Sequence, residues 1–142
     1  GEAFLAWQRF SQETADFAVG DIVNGGCVST LPAYVIAAYD APFPTVESKA
    51  GAAEFPLLVP IAEDAAGATE MKAVTDALSR WEKPALVAFS DQDPVFPYPR
   101  AGEAFVDLIP TGDEQGRIEG ASHFLQEDKG EQLAVEVLKR LG

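Results

Sequence analysis

Two rhythms of apolar and polar residues run along this chain. In the first half, apolar side chains recur at helical spacing and are interrupted by Gly and Pro. Phe4, Trp7 and Phe10 fall three residues apart, which predicts a short helix over residues 3–11 with one aromatic face. Residues 20–26 are broken by three glycines and read as loop or turn. Ser29 is placed to cap a helix over residues 32–39, with Pro32 tolerated in the first turn. Pro42 and Pro44 end that helix, because each Pro drives its predecessor out of the helical region. A further helical piece spans residues 46–59 with Pro56 interrupting it, and the strongly apolar run 55–60 is expected to be buried.

Residues 63–68 are polar and contain a glycine, and they form the best internal boundary. Two regions are therefore expected, 1–67 and 68–142. Beyond that boundary the rhythm changes. Met71, Val74, Leu78 and Trp81 mark one face of a helix over residues 69–81. Residues 85–89 form a continuous apolar run of strand length, as buried parallel strands do. Asp91-Gln92-Asp93-Pro94 reads as a turn, residues 99–108 as a weaker helix, 115–119 as a second strand and 131–141 as a closing helix. Helix–strand–helix–strand–helix implies an α/β class with a parallel sheet. Two strands do not by themselves make a stable parallel sheet covered on both faces, so more chain is expected to complete it.

Composition narrows the function classes. A net charge of −13 argues against nucleic acid and anionic membrane surfaces, both of which recruit basic patches. No apolar run approaches the roughly 20 residues of a membrane-spanning helix. Cys27 is the single cysteine, so an intramolecular disulfide is ruled out within these residues and a reducing, cytoplasmic location is expected. One His and one Cys do not assemble a closed zinc site from soft ligands, and no metal or organic cofactor is implied. The chain starts at Gly1 without Met, directly in an amphipathic segment, which reads as a processed or truncated start.

The candidate chemistry sits in the second half. His123 is the only histidine among 142 residues and lies between a strand-like run and a helix. Its ordinary pKa near neutrality suits a general base. In open α/β sheets, functional groups gather on loops past the carboxyl ends of strands. Asp93 follows one strand and His123 the next, the last two members of a nucleophile–acid–His order. Asp91 is the competing acid. Asp93 is preferred because Pro94 sets the turn directly after it, and Asp91 then reads as a solvated loop residue. No Gly-x-Ser-x-Gly or Gly-x-Asp-x-Gly elbow occurs, so a nucleophile is absent from these residues.

Six blocks in order carry a family likeness: Phe4-Leu-Ala-Trp7, Tyr39-Asp-Ala-Pro-Phe-Pro44, Ala50-Gly51 with Phe55-Pro-Leu-Leu-Val-Pro60, Arg80-Trp-Glu-Lys-Pro84, Phe89-Ser-Asp-Gln-Asp93-Pro, and Ala121-Ser-His123-Phe-Leu-Gln-Glu-Asp128. Together they resemble the haloalkane dehalogenases, over roughly the C-terminal half of such an enzyme. The resemblance implies a partial α/β-hydrolase fold, with a helical cap over 1–67 and the C-terminal part of a mostly parallel core sheet over 68–142. It implies hydrolytic cleavage of a carbon–halogen bond through an alkyl ester on an Asp, which the N-terminal half of the enzyme would supply. By matching positions, His123 is the base, Asp93 its acid partner, and Trp7 the cap tryptophan whose indole N–H holds the leaving halide. Phe4, Phe55, Pro56, Val59, Val95 and Phe124 match apolar pocket positions, for which plain core packing is the competing reading. The implied ligands are a small halogenated hydrocarbon and a halide ion.

Two alternatives stand beside this reading. An epoxide hydrolase on the same fold would use a cap tyrosine, with Tyr34 and Tyr39 as candidates. A non-catalytic fragment that only folds or binds is the other, and the missing nucleophile is its support.

Overall fold

The computed structural model describes residues 2–112 and 116–141. Its chain divides into two compact units, Gly1–Asn24 with Leu31–Lys72, and Gly25–Thr30 with Ala73–Gly142.

The first unit is helical. It contains α1 (Glu2–Glu13), most of α2 (Val19–Gly25), α3 (Ala33–Asp40), a 3₁₀ turn at Glu47–Lys49, α4 (Ala50–Glu54) and a second 3₁₀ turn at Phe55–Leu58. The aromatic face of α1 forms as its spacing requires: Trp7 stacks on Phe10 with ring centroids 5.5 Å apart, and Phe10 leans on buried Phe17. Two glutamines of α1 fasten it to the later turns. Gln8 Nε2 donates to the Pro56 carbonyl and Gln12 Nε2 to the Ala53 carbonyl, each at 2.8 Å. Such bonds satisfy carbonyls that short helices leave open at their ends. Phe17, Val23 and Leu31 form the apolar centre, and the buried Lys49 ammonium pairs there with Asp16.

Three local expectations are corrected here. Residues 20–26 are not a loop, because α2 covers most of them. Gly20 marks a close approach instead: a Cβ there would stand 2.4 Å from the Ile36 carbonyl oxygen on α3. Its N–H is held by Asp40 Oδ1 at 2.8 Å. Ser29 does not cap α3, whose N-cap is Pro32 with no side-chain bond. The run 55–60 is largely exposed, with Phe55 at 70% and only Pro56 of the 3₁₀ turn buried. A four-residue 3₁₀ turn eclipses its side chains three apart and so aims one face inward. Here that face is Pro56, beside α1.

The helix α5 (Ala68–Leu78) bridges the two units along the chain. Its expected apolar stripe faces solvent, with Met71 and Val74 exposed.

The second unit holds β1 (Ala88–Ser90), α6 (Arg100–Leu108), β2 (Gly116–Ile118) and α7 (Leu125–Leu141). β1 and β2 pair in parallel, with Ala88 opposite Gly116, Phe89 opposite Arg117 and Ser90 opposite Ile118. A single bridge between Ala85 and Gly112 precedes them. The β1–α6–β2 connection is the crossover that parallel pairing demands. The strands are shorter than the stretches that predict them, and Gln115 of the second lies outside the described residues. Val87, Ile109, Ile118 and Ala121 form this unit's core. α7 begins earlier than the sequence predicts and breaks at Lys129, so the expected start at Glu131 lies just past the kink. At the far end of α7, Arg140 reaches the Ala85 and Thr111 carbonyls, both at 3.3 Å.

Candidate active site

The loops leaving β1 and β2 lie side by side and are stitched by backbone bonds. Asp91 N–H donates to the Ile118 carbonyl at 3.2 Å, and Gln92 N–H donates to that of Ala121 at 3.0 Å. Ser122 Oγ returns a bond to the Gln92 carbonyl at 3.2 Å. The second loop turns back at Gly120, whose φ of +69° is the left-handed region that glycine enters without steric cost.

These two loops deliver Asp93 and His123 to each other. Asp93 Oδ2 lies 3.0 Å from His123 Nδ1, and its other oxygen accepts the Val95 N–H at 2.7 Å. Asp93 is buried at 8% exposure, while the His123 side chain remains 36% exposed. With the carboxylate as acceptor, the bond runs from an Nδ1–H to Oδ2, and in the neutral ring that tautomer leaves the lone pair on Nε2. That is the tautomer a general base needs. Phe96 stacks on the imidazole with centroids 5.9 Å apart, and Phe124 meets it edge-on at 5.3 Å. The two aromatic contacts restrict the ring's rotation.

Asp91 is not the solvated residue expected from sequence. Its side chain is 13% exposed, pairs with Arg117 Nη2 at 2.9 Å, and accepts the Gly120 N–H at 2.9 Å. The hydrogen bond from Arg117 is the main reason its carboxyl is held below the usual range. Strand pairing places Phe89 opposite Arg117, so Asp91 sits within reach of the cation and spends its charge on bracing the turn.

Asp128, in the first turn of α7, accepts four hydrogen bonds. Its Oδ1 accepts Ser29 N–H at 2.9 Å and Ser29 O–H at 2.7 Å. Its Oδ2 accepts Val28 N–H at 2.9 Å and Ser122 N–H at 3.0 Å. Burial works to raise this carboxyl, but the bonds from Ser29, Val28 and Ser122 outweigh it and hold the pKa at about 2. Phe124 N–H also donates to the Gly26 carbonyl at 3.2 Å. The segment 25–30 thus lies against the histidine loop. Cys27 sits within it, its thiol pushed up by burial and by the nearby Asp128 and Glu127 charges.

The remaining sequence-derived candidates divide between the units. Val95 and Phe124 are in the second unit with the Asp93–His123 pair, whereas Phe4, Trp7, Phe55, Pro56 and Val59 are in the first. Trp7 is half-buried against Phe10, and Val59, like Phe55, is exposed. Sequence reasoning missed Phe96 and Asp128 as site residues, and it weighed Asp91 only as a rival acid, not as the brace of the turn. Asp128 carried one usable signal, an acid five residues after the histidine, where a helix N-terminus favours negative charge. Among the described residues, no group of three or more His, Cys, Asp or Glu is arranged to hold a metal ion. No helix among them is long and apolar enough to cross a membrane.

Comparison with known proteins places this chain beside one group of enzymes. No family model matches it. It is 43% identical over 137 residues to a haloalkane dehalogenase of Psychrobacter cryohalolentis, covering 94% of this chain and 44% of that protein. A haloalkane dehalogenase of Mycobacterium marinum is 41% identical, with coverages of 96% and 46%. Among solved structures, the tetrameric haloalkane dehalogenase DpaA from Paraglaciecola agarilytica superposes with a TM-score of 0.85 at 25% identity, over 99% of this chain and 46% of that one. The dehalogenase DbeA from Bradyrhizobium elkani gives 0.80 at 25% identity, over 97% and 49%. The chain therefore has a partial α/β-hydrolase fold, and it spans about half the length of the relatives it matches.

Proposed function

We propose that this chain is the C-terminal portion of a haloalkane dehalogenase, which hydrolyses a carbon–halogen bond to an alcohol and a halide. The observation that carries the reading is the 3.0 Å contact of His123 Nδ1 with Asp93 Oδ2, in a chain 43% identical to a dehalogenase. Residues 1–67 act as a helical cap and 68–142 as the closing part of the core. The N-terminal half of the same enzyme is the required partner and brings the nucleophilic Asp.

The reaction runs in two displacements. The nucleophilic carboxylate attacks the halogen-bearing carbon, a C–O bond forms as the C–X bond breaks, and halide leaves. Trp7 donates its indole N–H to that halide from an apolar body. Phe4, Phe55, Pro56, Val59, Val95 and Phe124 receive the hydrocarbon. His123 Nε2 then takes a proton from water as the water oxygen attacks the ester carbonyl, and Asp93 stabilises the imidazolium formed. The tetrahedral adduct then breaks its bond to the alkyl oxygen, the alcohol leaves, the carboxylate is restored, and His123 gives its proton up to solvent. With a lone cysteine, the cytoplasm is a compatible place for the enzyme to work.

The test is bromide release by the complete protein from a bromoalkane, run beside an epoxide of equal size. His123→Ala is expected to release about one equivalent of bromide and stop, with the alkyl-enzyme trapped. Steady turnover by that variant would remove His123 as the base. Turnover of the epoxide alone would replace the dehalogenase reading with an epoxide hydrolase.

A further inference from the structure

We propose that Asp128 is a positioning residue for His123, clasping the histidine loop to the segment Val28–Ser29 through four hydrogen bonds to one carboxylate. The inference rests on the reading of His123 as the base. It goes beyond that reading, because the four bonds of the Asp128 carboxylate go to backbone amides and the Ser29 hydroxyl rather than to the imidazole.

The geometry is a three-way junction. One oxygen of Asp128 is shared by the Val28 and Ser122 amides, so a single atom joins a segment about a hundred residues upstream to the residue just before His123. The other oxygen is taken twice by Ser29. The junction is repeated one step on, where Phe124 N–H, directly after His123, reaches the Gly26 carbonyl. The histidine therefore has a bond to segment 25–30, or to its clasp, on each side. Ser122 is itself buried, and its hydroxyl bonds the Gln92 carbonyl next to Asp93. A shift of Ser122 would thus alter the spacing between the two loops that set the 3.0 Å His123–Asp93 contact. Charged acceptors form the shorter and stronger hydrogen bonds, and two oxygens offer about four lone-pair sites, which these four donors occupy. Asn in this place keeps the shape but turns one acceptor into a donor that faces donors.

The experiment uses the complete protein as wild type, Asp128→Asn and Ser29→Ala. Two quantities are measured. The first is the His123 imidazole signal and its titration midpoint by NMR, assigned by its loss in His123→Ala. The second is bromoalkane turnover divided by the number of alkylated sites titrated in the same sample. Asp128→Asn is expected to move the His123 signal and midpoint and to lower turnover per alkylated site by about 10- to 100-fold, the scale that misplacing a catalytic group by up to ~1 Å produces. Ser29→Ala should change both in the same direction by less. Alkylation itself does not use His123 and should persist. A merely structural role would reduce the number of alkylated sites and leave the rate per site alone, and that result overturns the proposal. So does a His123 signal that stays put in folded Asp128→Asn, or in Ser29→Ala should the first variant not fold. If wild type releases no bromide, the dehalogenase reading fails by itself, and the NMR comparison still decides whether the clasp holds the histidine.

Discussion

His123 differs from an ordinary surface imidazole in that one ring nitrogen is spoken for by a buried acid while one aromatic ring stacks on the imidazole and a second meets it at a right angle. In the proposed reaction, Trp7 is the corresponding single point in the proposed cap. Its replacement by Phe keeps the apolar body and removes the only donor of the ring. In the complete enzyme Trp7→Phe should weaken halide binding and slow carbon–halogen cleavage, by about 2.7–4 kcal/mol at most, the worth of one oxyanion-type donor. Bromide affinity followed by tryptophan fluorescence or kinetics checks this, and an unchanged affinity would take Trp7 out of the site. At this scale the sequence was most legible where a residue's role follows from its chain position. Asp93 and His123 each come just after a strand-like run, so their meeting at strand ends was readable. Asp91 and Asp128 were not, because most of what they bind is backbone N–H or a partner far away in sequence, and no side-chain pattern announces an amide 100 residues upstream.

The elements that carry the site are short, and their ends matter more than their middles. Each strand is three residues long, so the loops after them are held by side-chain bonds as much as by the ladder. The segment at Val28 and Ser29 depends on an ionised Asp128. The carboxyl's folded pKa of about 2 lies below its ordinary 3.8. Its contribution is therefore complete above that ordinary value and is lost as pH falls through the folded one. The Val28, Ser29 and Ser122 amide shifts are expected to titrate together with a midpoint near 2, as read from acid NMR titration. Separate midpoints, or a common one at 3.8 or above, would show that no such joint grip exists. The helices were readable where apolar spacing is regular, as in α1 and α5. α2 was misread because glycine signals both a turn and a close helix contact, and only the neighbouring Ile36 backbone distinguishes the two. The 55–60 run was misread because hydrophobicity states a preference for burial, whereas burial requires a surface to pack on.

At the level of the whole chain, nineteen large apolar side chains are exposed against seven buried apolar residues among those described. Together with a two-stranded parallel sheet, this leaves both sheet edges and several helix faces without cover. The 142-residue chain by itself is expected to self-associate, and to become monodisperse when a separately produced N-terminal half is added. Sedimentation velocity across a concentration series measures this. A lone chain that stays monomeric and melts cooperatively would favour the reading of a stand-alone, non-catalytic module. The alternation of strand and helix made the α/β class legible, and the shortage of strands was equally visible. What the chain order hid is that residues 25–30 lie early in sequence but pack with the second unit. That placement has a consequence for recombination. A chimaera that exchanges the leading helical region at a single late junction would carry away Val28 and Ser29 with the donor's helices. The histidine loop would then be braced by a foreign segment, so a workable exchange must use three crossover points and leave this short stretch at home.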